Sequence, residues 1–165
     1  MPWNPEGQLM SIVSGDRALV RRAGEGIDNQ TFDLLRTFLV RSDEAGGSFS
    51  HWIEDVPADA GPPMHVHHRE QELFRILSGR FRFWCAGEVQ DLTNGDTVLI
   101  PAGAPHTFKN IGTDVGQLLI TLTPGHGDGF FIEVEKQGLH PSRDMPRIVE
   151  IAGRYGLEFV GPPPG

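Results

Sequence analysis

One stretch limits what this chain can fold into more than any other: Gly61-Pro-Pro-Met-His-Val-His-His-Arg-Glu-Gln-Glu-Leu-Phe-Arg-Ile-Leu-Ser-Gly79. His65 and His67 stand two apart, and alternate residues of a strand share a face at a spacing of about 7 Å. Two imidazoles so placed can converge on one ion. Glu72 lies an odd step beyond His67, so it does not share that uninterrupted strand face. The polar run His68 to Gln71 reads as a bend that brings Glu72 back on a neighbouring strand. That is half a metal site. The rest is expected from Gly95-Asp-Thr-Val-Leu-Ile-Pro-Ala-Gly-Ala-Pro-His-Thr-Phe-Lys-Asn110, where a turn at Pro101-Ala-Gly103 separates a short apolar strand from a second one opened by His106. A His held at a strand end just after such a turn can meet the other three.

Around these stretches the chain is a run of short strands and turns. Phe32 to Val40 reads as the first convincing strand, with Phe32, Leu34, Phe38 and Val40 on one side and Arg36 interrupting that face. Ser42 to Gly47 has the composition of a hairpin loop, and Ser48 to Val56 follows as its partner. That strand places Phe49, His51 and Ile53 on one face and Trp52 on the other. Leu73 to Leu77 and Arg80 to Cys85 are expected to form a hairpin about Ser78-Gly79, and Asn94-Gly95 is a tight hairpin signal after Glu88 to Leu92. Val98 to Ile100, His106 to Ile111 and Gln117 to Thr123 complete the pattern of a sandwich or barrel. Phe130 to Gln137 reads as a short helix ended by Gly138. A further helix is expected from about 145 to 155, with Asp144 as N-cap and Gly156 at its end. Trp3 and Ile12 are the expected points of attachment of the N-terminal residues, and Ala18 to Val20 reads as an arm or edge strand.

Charge and composition exclude several roles. Formal net charge is −8, which argues against nucleic acid or an anionic membrane as the main partner. One cysteine, Cys85, permits no intramolecular disulfide and is expected to be a small buried hydrophobe. No signal peptide or transmembrane run is evident, so a cytoplasmic location is the default expectation.

The two stretches together resemble the two motifs of the cupin superfamily. The first supplies the glycine, H-x-H, Glu and closing glycine; the second matches at Gly95, Pro101, Gly103, His106 and Asn110. The short spacer between them is similar to that of small bacterial single-domain cupins, in particular those grouped with quercetin dioxygenase. The resemblance implies an all-β, double-stranded β-helix (a jelly-roll barrel) with a short C-terminal helix. It also implies a single domain over residues 1–165, with an N-terminal arm at 1–30, a barrel core at about 31–124 and a C-terminal helical segment at about 128–160. One divalent metal is expected on His65, His67, Glu72 and His106, and a homodimer is the expected assembly.

Three imidazoles and one carboxylate suit Fe, Ni, Mn, Co, Cu or Zn. Against a doubly charged ion, one carboxylate leaves a net charge of about +1, which favours an anionic bidentate ligand such as an enolate. The resemblance implies a metal-dependent dioxygenase acting with O2 on a small enediol or flavonol-like aromatic substrate, with Glu72 also moving the substrate's hydroxyl proton. A non-oxidative isomerase or lyase of a small acid or sugar, or a non-catalytic small-molecule-binding cupin, fits the same ligands. Other residues carry weaker expectations. His68 points away from His67 to the rim or surface, and His51 either lines the barrel or packs. His126 is expected to be a solvated residue of a glycine-rich loop, with closure over the mouth as the alternative, and His140 is expected at the surface. Arg75 faces outward if alternation holds from Glu72, and Met64, Phe74, Phe83 and Phe108 are candidate pocket walls.

Overall fold

The computed structural model describes residues 17–162 and 164. Trp3 and Ile12 lie outside the described residues. The strands in chain order are β1 (Ile27–Thr31), β2 (Leu34–Val40), β3 (Ser50–Val56), β4 (Met64–His67), β5 (Gln71–Ser78), β6 (Arg80–Cys85), β7 (Glu88–Thr93), β8 (Thr97–Ile100), β9 (His106–Asn110) and β10 (Gly116–Thr123). Helices α1 (Asp128–Lys136) and α2 (Pro141–Arg154) follow, and β11 (Leu157–Gly161) ends the fold.

These strands make two antiparallel sheets, ordered β1-β2-β3-β10-β5-β8 and β11-β4-β9-β6-β7. From β4 onward the chain crosses repeatedly between them, which is the jelly-roll arrangement expected from sequence. Period-two alternation turns one face of each strand inward. Phe38, Trp52, Phe74, Ile120 and Leu122 from the six-stranded sheet meet Phe81, Phe83 and Phe108 from the other, all buried. No helix among the described residues is long and apolar enough to cross a membrane.

Several local expectations change. Ser78-Gly79 and Asn94-Gly95 are corners between sheets, not hairpins: β5 pairs with β10 and β8, whereas β6 pairs with β9 and β7. Gly79 makes its corner at φ 98°, a left-handed conformation that favours glycine. Phe32 does not begin a strand. It and Asp33, at φ 57° and 59°, form the two-residue turn that joins β1 to β2. In β3 the inward face carries Ser50, Trp52, Glu54 and Val56, and in β2 it carries Leu34, Arg36 and Phe38. Arg36 therefore belongs to the interior.

The C-terminal segment holds two helices and a strand. Helix α2 begins at Pro141, four residues before the sequence expectation, because the His140 ring accepts from Ser142 N and Asp144 accepts from His140 N. The Asp144 side chain closes the first turn from inside the helix. After Gly156, at φ 72°, the apolar piece Leu157-Glu-Phe-Val160 becomes β11 and pairs with β4. The strand that carries His65 and His67 thus gains its outer neighbour from the far end of the chain.

Candidate metal centre and cavity

Three imidazoles come from one sheet and the carboxylate from the other. His65 and His67 lie on β4, and His65 is paired in register with His106 on β9. Glu72 enters from β5 across the interior, so it arrives from the opposite sheet and not from a paired neighbour. All four residues are buried, and each offers a ligand atom within 4.8 Å of the others. The preceding loop is held close: a Cβ on Gly61 would collide with the Phe108 carbonyl, and Thr107 Oγ1 donates to Pro62 O at 2.6 Å. The turn before β9 is tied to β4 by Gly103 N donating to His67 O at 2.8 Å.

Backbone carbonyls fix two of the rings. His65 Nδ1 lies 2.8 Å from Pro63 O, and His106 Nδ1 lies 2.9 Å from Ala104 O. A carbonyl can only accept, so each Nδ1 carries a proton and each Nε2 is the ring atom turned toward the interior. His106 Nε2 points at Glu72 Oε2 (3.0 Å), and His67 Nε2 stands 3.4 Å from the same oxygen. Behind His67 is a residue that the sequence reading did not single out. Glu70 is buried, and its Oε2 stands 3.9 Å from His67 Nδ1; neither atom has a hydrogen-bond partner among the described residues. It occupies the place of an outer-shell carboxylate that orients a ligating imidazole.

Electrostatics favour donor forms at three of the four positions. Burial, reinforced by the two neighbouring imidazoles, pushes His65 down to about 3, and burial lowers His67 as well. Burial by itself would raise Glu72, but His67, His106 and His65 outweigh it and hold the carboxyl at about 2. His106 is raised, because its hydrogen bond and ion pair with Glu72 overcome burial. A divalent ion held by these residues would take the place of that proton beside Glu72. The donor set therefore fits one borderline divalent cation.

The cluster opens onto a cavity enclosing about 450 Å³ of space between atoms, its open mouth included. Phe32, Trp52, Phe108, Phe130, Phe131 and Phe159 give it aromatic walls. Of the expected wall residues only Phe108 lines it; Phe74 and Phe83 are buried in the core behind, and Met64 is not part of the lining. Phe130, Phe131, Leu157 and Phe159 come from the C-terminal segment, whose strand register no sequence motif marks. Arg36 and Glu54 are the other charged lining residues, an ion pair at 2.8 Å, buried on both sides.

The remaining candidates lie outside the cavity. His51 is on the outward face of β3, with Nδ1 2.8 Å from Thr121 Oγ1. His126 is exposed and stands beside Gly47. His68 is exposed and pairs with Glu158 at 2.7 Å, and His140 caps α2. Arg75 is exposed on the outer face of β5, near Thr97 Oγ1 at 3.3 Å. Cys85 is partly buried against the core, and burial raises its thiol pKa, which suits a packing role.

Residues 52–122 match a family model described as a cupin domain. Over 124 residues the chain is 25% identical to quercetin 2,3-dioxygenase of Bacillus subtilis, a match covering 75% of this chain and 36% of that one. It is 35% identical over 80 residues to the uncharacterized protein MJ1618 of Methanocaldococcus jannaschii, covering 47% of this chain and 64% of that protein. The matched region thus spans less than two thirds of each of these relatives. Among solved structures, the cupin domain of Schizosaccharomyces pombe Cnp3 superposes with a TM-score of 0.57 at 20% identity, over 74% of this chain and 82% of that one. A predicted oxalate decarboxylase of Thermotoga maritima superposes at 0.58 with 18% identity, over 64% and 98% respectively. At these identities the structural likeness speaks for the fold alone.

Proposed function

We propose that this chain, whose residues 52–122 match the cupin domain model, is a metal-dependent dioxygenase acting on a small enediol or flavonol-like aromatic compound. His65, His67, Glu72 and His106 would hold one divalent transition-metal ion. The observation that carries this reading is the convergence of four buried donor atoms within 4.8 Å at an aromatic cavity. The Bacillus quercetin dioxygenase likeness, though it covers only part of that protein, supports the oxidative assignment.

The ion, when bound, supplies a Lewis acid with open positions and access to redox chemistry. The protein's part follows from its own side chains. Pro63 O and Ala104 O hold two Nε2 atoms aimed inward, Glu70 stands behind the third ring, and the aromatic walls offer flat apolar surface to a flat substrate. Glu72, kept ionised by its imidazole neighbours, accepts the proton that an enediol hydroxyl gives up as it binds.

Elemental analysis of purified protein, with His65→Ala and Glu72→Ala as controls, tests the site. About one transition-metal ion per chain, falling below about a tenth in both variants, is expected. O2 uptake with flavonols and enediols tests the chemistry. Turnover without O2 consumption would move the protein to the non-oxidative isomerases and lyases, and tight binding without turnover would make it a carrier. We also propose that two copies pair through the outer face of the six-stranded sheet, where Leu73, Leu77 and Leu99 are exposed around Arg75. Light scattering at micromolar concentration should return twice the chain mass; a single chain mass would overturn the pairing.

A further inference from the structure

Inward side chains of the six-stranded sheet form cross-strand rows, and their order along the cavity is informative. One row holds Ser50, Leu122, Glu72 and Ile100; the next holds Phe38, Trp52, Ile120, Phe74 and Val98. A third holds Asn29, Arg36, Glu54, Leu118 and Ile76. The backbone positions of Glu72 and of the Arg36–Glu54 pair are thus two inward rows apart, an offset of roughly 13 Å along an extended strand, with an apolar row between them.

Nothing in the metal chemistry uses this pair, and burying it costs desolvation free energy that apolar side chains of similar size would not. Its bonding is also incomplete. Arg36 Nη1 donates to Thr31 O at 3.1 Å and to Thr31 Oγ1 at 2.6 Å, and the guanidinium lies 4.1 Å from the Phe131 ring centre. Arg36 Nε is 2.8 Å from Glu54 Oε2 yet out of hydrogen-bond alignment, so that buried donor remains unsatisfied. Glu54 Oε2 also accepts from Trp52 Nε1 at 3.2 Å, while no hydrogen bond among the described residues reaches Glu54 Oε1. Both residues line the cavity.

We propose that Arg36 and Glu54 form a second recognition point that selects aromatic substrates carrying a neutral hydroxyl at the end remote from the metal. The pair sums to zero charge. A carboxylate placed there would meet Glu54 and an ammonium would meet Arg36, whereas a hydroxyl donates to Glu54 Oε1 and accepts from the guanidinium. The apolar row fits the flat body that separates such a hydroxyl from the chelating oxygens. This inference rests on the proposed flavonol-like chemistry and narrows its substrate class.

The test uses metal-loaded protein and three probes: 3-hydroxyflavone, its 4′-hydroxy analogue and its 4′-carboxylate analogue. Binding is read by quenching of tryptophan fluorescence, to which Trp52 contributes from the cavity wall. The 4′-hydroxy probe should bind wild-type protein about tenfold more tightly than 3-hydroxyflavone, the size expected of one hydrogen bond to a charged group. The 4′-carboxylate should bind more weakly than either. In Glu54→Gln, isosteric and uncharged, the ratio of the affinities for the 4′-hydroxy probe and 3-hydroxyflavone, both measured on that variant, should fall below about threefold. Equal wild-type affinities for the first two probes would overturn the inference and leave the flavonol reading standing. So would a carboxylate that binds best, or a preference that survives in Glu54→Gln. If none of the probes bound, both the inference and the flavonol reading would fall.

Discussion

Two polar groups of residues face one aromatic cavity, and they are balanced in different ways. Arg36 and Glu54 neutralise each other inside a single sheet, with Trp52 and Thr31 taking part of the remaining bonding capacity. His65, His67, His106 and Glu72 gather from two sheets and turn four potential ligand atoms toward one point. Burial penalises charge at both places, but only the second has donors in excess. A self-balanced pair can recognise a neutral group; an unbalanced set of donors calls for a positive ion. The difference lies in charge accounting, since both groups are equally buried.

The largest effect should come from breaking the balanced pair. Arg36→Met leaves Glu54 buried without its counter-charge and should lower the unfolding free energy of the metal-free protein by about 3–5 kcal/mol in urea titration. Arg36→Met combined with Glu54→Leu should recover most of that loss, because removing both charges removes the desolvation problem as well. A single variant as stable as the parent would mean that Glu54 draws its support from Trp52 alone, and the comparison between the two groups would fail.

That pair also marks where the sequence stopped being legible. The four ligands could be read because the two motifs resemble the cupin pattern: two His on one strand face, a Glu after a bend and a His after a turn. Arg36 looked like an interruption, since a charge between Leu34 and Phe38 gives no sign that its partner waits at Glu54 on the next strand. Alternation puts Trp52 on one face of the strand expected over Ser48 to Val56 and Phe49, His51 and Ile53 on the other, but it cannot say which face is the interior. Ser78-Gly79 and Asn94-Gly95 carry ordinary hairpin chemistry, and only long-range pairing turns them into corners between sheets. Leu157 and Phe159 reach the cavity because β11 pairs with β4 across some ninety residues of chain. Local pattern reported the ligands and most strands; partners chosen at a distance supplied the walls.

A smaller effect is expected from the support of the unbalanced group. Glu70 is isolated from water and stands 3.9 Å from His67 Nδ1, the one inward imidazole not held by a backbone carbonyl. Burial pushes the Glu70 carboxyl up to about 7. Above that pH, Glu70→Gln keeps the shape but loses the charge, and should weaken metal binding about 10- to 100-fold in chelator competition while stoichiometry at saturating metal stays near one. Unchanged affinity would show that two carbonyl-held rings and Glu72 suffice, and that the His67 ring needs no carboxylate behind it.

The smallest effect sharpens the boundary of the site. His68 follows His67 directly, yet alternation along β4 and the bend after it turn its ring outward, where it meets Glu158 of β11 at 2.7 Å. That pair is more than half exposed on both sides, so solvent screens most of its attraction. His68→Ala should cost less than about 1 kcal/mol and leave metal stoichiometry and affinity unchanged. The two variants then contrast a buried carboxylate three residues from His67 with an exposed imidazole immediately beside it. A loss of metal in His68→Ala would reverse that ranking. It would mean that the exposed ion pair, by fastening β11 to β4, helps to hold His65 and His67 in place, and that the site depends on the sheet edge as well as on the atoms around the ion.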